Sequence, residues 1–265
     1  MLGYKIGMPA LVELDTFTDT VDLCRELKLD FIELNMNLPS NFIQQLPPNK
    51  LSEVASQYNL FYTMHMPDDA DMGSFFDPVR RGFVQLAEET IQWASRSNVR
   101  LLNFHLIEGA KMTLPHKKIY VYEQYDSVFI NQFMSSFTQL SKIAKQNNLY
   151  INVENSGNFG KAYAQSALKK VLALPNVGIT WDTGHDTANN MVDHPFLMAN
   201  QSHITHMHLH DTLGAQDHLV LFKGEADIFK SISFAKTNQL SVVVEVKTID
   251  ALRESIYELR QRDLI

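Results

Sequence analysis

Histidine and carboxylate side chains close one apolar segment after another along this chain. In order they are Glu33 in Phe31-Ile32-Glu33, His65 in Met64-His65, His105 in Asn103-Phe104-His105, and Glu154 in Val153-Glu154-Asn155. Asp182 and His185 follow in Asp182-Thr183-Gly184-His185, His208 in Met207-His208-Leu209-His210-Asp211, and Glu245 in Val244-Glu245. These residue types bind divalent metal and move protons. One of them alone means little, because a strand-end Asp or Glu is more often a helix cap or an ion-pair partner. A series implies convergence on one point.

The elements that must position them alternate along the whole chain. Short β-rich segments are expected at Tyr4–Met8, Phe31–Asn35, Phe61–His65, Leu101–His105, Tyr150–Glu154, Gly178–Asp182, Ile204–His208 and Val242–Val246. Amphipathic helices are expected near 18–28, 49–58, 78–97, 127–147, 163–173, 187–199, 226–236 and 249–262. Thr18 or Asp19, Asp77 before Pro78, and Asp250 are the expected caps. Such alternation predicts βα repeats and a parallel sheet. Eight units in 265 residues match a single (β/α)8 TIM barrel spanning 1–265. The competing doubly wound sheet lacks support, since the first strand-to-helix turn, Gly7-Met8-Pro9-Ala10-Leu11, has no G-x-G-x-x-G pattern. The long connections 66–76 and 107–126 fall on the C-terminal face, where they fit either substrate covers or ordinary surface loops.

Side chains alternate in and out along a strand. Counting back from Asp182 puts Thr180 and Gly178 inside; from His208, His206 and Ile204; from Glu245, Val243. The last inward position of each strand therefore opens at the barrel mouth. Glu154, Asp182, His208 and Glu245 come from four successive strands and can surround one ion there. Three carboxylates and one imidazole form a hard, mainly oxygen site, suited to Mn2+ or Zn2+ and also to Mg2+ or Co2+. Without a cation the carboxylates would repel one another. His65 and His105, with Glu154 as a bridge, offer a second site; satisfied core histidines are the alternative. His185 and His218 are rim candidates. His206, His210, His203, His116 and His194 read as structural or solvent-facing.

Composition narrows the partners. The chain carries 23 basic and 30 acidic side chains, net −7, without a basic stripe able to neutralise many phosphates. That argues against tight nucleic-acid binding. No apolar run approaches the roughly 20 residues that span a bilayer. The beginning, Met1-Leu2-Gly3-Tyr4-Lys5-Ile6, lacks a secretion-signal pattern. One cysteine, Cys24, excludes an internal disulfide, reads as a buried thiol, and points to a reducing, cytoplasmic location. No feature demands a homo-oligomer, although helix faces would permit one.

Taken together, Asn103-Phe104-His105, Val153-Glu154-Asn155, Trp181-Asp182-Thr183-Gly184-His185, His208-Leu209-His210-Asp211 and His218-Leu219 followed by Gly224-Glu225 resemble the xylose-isomerase-like barrel superfamily. That superfamily includes ketose epimerases, sugar-phosphate isomerases and type IV apurinic-site endonucleases. The epimerase resemblance implies that Glu154, Asp182, His208 and Glu245 hold the metal. It further implies that Glu154 and Glu245 remove and return a proton through a metal-stabilised enediolate, and that His185 bonds a sugar oxygen. The endonuclease resemblance implies more zinc ions, through His65, His105 and the bridging Glu154. Its third ion needs His185 and an Asp-x-His pair; here the run is Gln216-Asp217-His218, with Gln216 in the Asp position. Departures from the epimerase pattern are Gly160, Gly214 and Phe222-Lys223-Gly224, where the family has Glu, Arg and Gly-Glu-Gly. Sugar recognition is then expected around Lys223, Glu33, His185, His218 or the long loops, and Gly224-Glu225 is expected to serve a capping role.

Three functions follow as expectations. The first is a divalent-metal-dependent isomerase or epimerase acting on a small sugar or sugar-derived ketone. The second is a binuclear or trinuclear zinc hydrolase, and the third a barrel that only binds a ligand.

Overall fold

A computed structural model describes residues 3–214 and 216–265, so the first two residues of the 1–265 domain expectation, including the start of the segment read for a secretion signal, lie outside the described part. Eight parallel strands close into a barrel: β1 (Lys5–Pro9), β2 (Phe31–Asn35), β3 (Phe61–His65), β4 (Val99–His105), β5 (Tyr150–Glu154), β6 (Val177–Asp182), β7 (Ile204–Leu209) and β8 (Ser241–Val244). Closure comes from β1 pairing with β8, Lys5 opposite Ser241 and Gly7 opposite Val243. Every other pairing joins sequence neighbours, as right-handed βα units require. Glu245 lies one residue past β8, yet its N–H donates to the Leu209 carbonyl at 2.9 Å. That bond prolongs the strand register and keeps the carboxylate at the mouth.

Helices flank the barrel at Phe17–Glu26, Pro48–Tyr58, Asp77–Ala94, Asp126–Gln146, Ala162–Val171, Ile228–Asn238 and Ile249–Gln261. Their caps sit slightly earlier than the sequence suggests. Thr16, not Thr18 or Asp19, caps the first helix: its Oγ1 accepts from the Asp19 N–H at 3.2 Å, and Asp19 reciprocates from its carboxylate. Thr248 caps the last helix and leaves Asp250 in its first turn. Asp77 is the first helical residue after Phe76. The helix expected at 187–199 is two short ones, Thr183–Ala188 and His194–Ala199. Asn190 and Met191 adopt left-handed φ of 55° and 58° between them. The turn delivers buried Asp193 to the Gly157 and Gly160 N–H groups at 2.7 and 3.0 Å. It thereby ties down the loop that follows Glu154.

The main core lies between strands and helices, where Phe133 packs on Phe137 with tilted rings at 4.6 Å and Phe137 meets Phe104 edge to face at 5.9 Å. The barrel interior is layered. Phe31, Phe61 and Val243 plug its lower end, the two rings stacked at 4.7 Å. Polar Glu33, Thr63, Thr180 and His206 occupy the middle, all buried. The floor is thus apolar below and polar above, beneath the strand-end carboxylates and imidazoles. Cys24 is buried, as expected. Two antiparallel hairpins, Lys111–Thr113 with Lys118–Tyr120 and Asp211–Leu213 with Gln216–Leu219, stand on the C-terminal face. Among the described residues no helix is long and apolar enough to cross a membrane.

Candidate metal centre

The strand ends of β5, β6 and β7, with Glu245 just past β8, bring Glu154, Asp182, His208 and Glu245 together, each offering a donor atom within 4.8 Å of the others. His208 is the hub. Its Nδ1 lies 2.8 Å from Glu245 Oε2, 3.2 Å from Glu154 Oε1 and 4.0 Å from Asp182 Oδ2. Its Nε2 lies 2.8 Å from Glu33 Oε1, and Glu33 Oε2 accepts from the Thr63 hydroxyl at 2.8 Å. Asp182 is held from both sides. Asn155 accepts its N–H at 2.7 Å and donates to its carbonyl at 3.0 Å, while its own Oδ1 caps the Thr183–Ala188 helix through the His185 N–H at 2.7 Å.

Glu154 faces two ways. Its other oxygen, Oε2, lies 3.5 Å from both His65 Nε2 and His105 Nε2, and also accepts from Asn103. Asp68 stands on the far side of these rings, 3.6 Å from His65 Nδ1 and 3.9 Å from His105 Nδ1. A third group joins His185, His210, Asp217 and His218. Asp217 contacts His210 at 3.1 Å, His185 at 3.4 Å and His218 at 3.4 Å. The hairpin turns Asp217, rather than the Gln216 position, toward the imidazoles. His210 is buried inside this group, 3.0 Å from Asp182, so the solvent-facing alternative falls and the buried one stands.

Glu33 is 2% exposed, engaged with His206, His208 and Thr63, and borders the cleft beside the cluster. Lys223 is half exposed and paired with Glu254 at 3.0 Å, so it is not brought into the cluster. The lysine that reaches the centre is Lys247, 2.7 Å from Glu245 Oε1. Its signal was proximity, two residues after a ligand, and periodicity had no means of ranking it. Gly224 and Ala226 donate to the Asp211 carboxylate at 2.7 and 2.9 Å, and Asp227, not Glu225, caps the following helix.

Burial and neighbouring charge oppose each other throughout. Burial pushes the Glu154 and Glu245 carboxyls up, but the imidazoles of His208 and His105, or of His208 together with the Lys247 ammonium, hold both well below the usual range. Burial lowers His65, and Glu154 and Glu33 outweigh it, bringing the ring to about 9. Burial also lowers His185, while Asp182, Asp217, Glu154 and Glu245 raise it to about 10. Burial keeps His206 below its ordinary value. The centre is thus a pool of ionised carboxylates that demands positive charge.

Protons on imidazole meet that demand imperfectly. Glu245 Oε2 is buried without a hydrogen-bond donor although His208 Nδ1 is 2.8 Å away, so one carboxylate oxygen at the cluster is left unmet. An unmet buried carboxylate oxygen fits a bound cation, and hard oxygen donors with one nitrogen suit a divalent one. Beside the centre lies a small cleft of about 130 Å³, bordered by Glu245, His65, Glu33 and Lys247, with Leu11, Val12 and Leu38 as its apolar side.

A closed parallel barrel with carboxylates and imidazoles gathered at its C-terminal mouth is the class this arrangement defines. The chain belongs to the xylose isomerase-like TIM barrel family, whose family model matches residues 21–262. No curated protein matches it in sequence. Among solved structures it is similar to a D-tagatose 3-epimerase-like protein, at 21% identity and a TM-score of 0.75, covering 98% of this chain and 100% of that one. It is also similar to the 3-keto-D-glucoside 4-epimerase YcjR from E. coli, at 16% identity and a TM-score of 0.77, covering 97% and 99%. IolI with a bound zinc atom is similar at 13% identity and a TM-score of 0.77, covering 98% and 97%. At these identities the likeness establishes the fold.

Proposed function

We propose that the protein is a divalent-metal-dependent isomerase or epimerase of a small sugar or sugar-derived ketone. One observation carries the reading: Glu154 and Glu245, three strands apart in the barrel, both abut His208 Nδ1, at 3.2 and 2.8 Å. Two structural relatives described as an epimerase-like protein and an epimerase support it. Glu154, Asp182, His208 and Glu245 would hold the cation, which supplies Lewis acidity to a substrate carbonyl. Glu154 and Glu245 then face the carbon beside that carbonyl, one removing its proton and the other returning it. His185, 17% exposed, offers an N–H to a substrate hydroxyl, and His218 flanks it at the rim. The apolar side of the cleft excludes water from the reacting carbon. A reducing cytoplasm fits the single buried thiol.

The test is exchange. Mn2+-loaded protein incubated with a panel of ketoses in D2O should place deuterium on the carbon next to the carbonyl. Glu154→Gln and Glu245→Gln should each lose on the order of 10²–10⁴-fold of that rate. No incorporation across the panel, with metal demonstrably bound, sinks the reading.

A second reading, a binuclear or trinuclear metallohydrolase, rests on Glu154 Oε2 facing His65 and His105 and on the His185–His210–Asp217–His218 group. It predicts two or three tight ions per chain and hydrolysis of phosphate esters.

A further inference from the structure

A second cavity, of about 330 Å³, opens beside His105 between the loops that follow β4 and β5. His105 lines this cavity and His65 lines the cleft next to Glu245, and their rings meet edge to face at 4.8 Å. The two spaces therefore flank the same histidine pair. They differ in character. The first has an apolar side, Leu11, Val12 and Leu38. The second is walled almost wholly by polar groups: Glu108, Lys111, Ser156, Asn158 and Asn189.

We propose that this second cavity is a glycosyl subsite, so that the substrate carries a further sugar unit on the ring that reacts over Glu245. The proposal rests on the isomerase reading for the reacting ring and on its own observations for the subsite. Asn158 is 3% exposed, donates Nδ2 to the Leu106 carbonyl at 2.6 Å, and leaves Oδ1 without a partner. An unpartnered buried acceptor costs about 1–3 kcal/mol, and a hydroxyl donor in the cavity relieves it. Glu108 offers carboxylate oxygens beside it. Lys111 pairs with Glu108, and so does Lys161, whose Nζ lies 3.8 Å from the Tyr120 ring centroid. Donors and acceptors thus both line the cavity, and the Ser156 hydroxyl there can act as either. A sugar hydroxyl both donates and accepts, and several on one ring match such a lining. A phosphate dianion only accepts, so it would leave Asn158 Oδ1 unmet. Lys111, the first residue of the Lys111–Thr113 strand, is the point at which that hairpin reaches the cavity.

The experiment measures affinity of the metal-loaded full chain for cellobiose, maltose, glucose and glucose 6-phosphate by calorimetry and saturation-transfer NMR. At least one disaccharide should bind about tenfold or more tightly than glucose. Lys111→Ala, at an exposed position, and the isosteric Asn158→Asp should each bring that ratio toward one. Equal affinity for all sugars, no disaccharide binding, or a ratio unmoved by both variants overturns the subsite. Tighter binding of glucose 6-phosphate than of either disaccharide overturns it in favour of an anion pocket. Deuterium exchange separates the two readings. Disaccharide preference without exchange removes the isomerase reading and keeps the subsite; exchange on monosaccharides without disaccharide preference does the reverse.

Discussion

Glu33 Oε1 sits 2.8 Å from His208 Nε2, on the side of the ring opposite the 2.8 Å approach of Glu245 to Nδ1. A carboxylate behind a ligating imidazole fixes its tautomer and orientation and strengthens the donor nitrogen. Glu33→Gln should weaken Mn2+ or Zn2+ binding by about 10–100-fold. Calorimetric titration of the metal-stripped variant measures this, with its thermal unfolding recorded alongside. Unchanged affinity would remove any orienting role from Glu33.

Stripping metal should destabilise the fold. Glu154, Asp182 and Glu245 are all buried and within reach of one another, so a cation held there would bind the native chain and not the unfolded one. At a thousandfold excess over Kd the linkage is about 4 kcal/mol, which for a chain of this size is on the order of 10 °C in Tm. Differential scanning calorimetry with and without chelator reads it directly. A Tm indifferent to chelation and reloading contradicts a metal centre.

Stoichiometry distinguishes the chemistries. The isomerase reading expects about one tight ion per chain, lost in Asp182→Asn and retained in His105→Ala. Elemental analysis after gentle purification measures it. Two or more ions, one of them removed by His105→Ala, would favour hydrolysis.

Gly224 donates its N–H to Asp211 Oδ2 at 2.7 Å, and a Cβ added there would run into the Thr212 carbonyl. That carbonyl is itself held by the Glu225 N–H at 2.8 Å, so it cannot swing aside cheaply. Gly224→Ala should cost about 1–3 kcal/mol of unfolding free energy by denaturant titration. A neutral result would mean the loop relaxes freely.

The Cys24 thiol is buried, and burial followed by the Asp30 carboxylate pushes it from 9.0 to about 12. The native state therefore keeps its proton after the unfolded state has lost it. Between about pH 9 and 12 the unfolded chain binds fewer protons, so this group makes stability fall as pH rises. At pH 8 a disulfide reagent should leave native protein unmodified and react with one thiol in guanidinium. Rapid native labelling would place Cys24 at the surface.

Much of the barrel was legible from period alone. β2, β3 and β5 begin and end where alternation ends, because their inward parity must match the interior layers. Parity likewise put Glu154, Asp182, His208 and Glu245 on one side of the sheet, and closure carried them to one centre. Loops were less legible. Asn190 and Met191 break the expected helix because Asp193 is required at the Gly157 loop, a contact between segments far apart in sequence.

The linear order of residues determined which donors exist and which face of the barrel they occupy, since a strand's two-residue repeat is a local property. Tertiary structure alone decided that Asp217 turns toward His185 and His210, that Lys247 rather than Lys223 reaches Glu245, and that Glu33 lies behind His208. Those outcomes depend on how a hairpin twists and how separate strands stack in depth, quantities set by packing between distant segments.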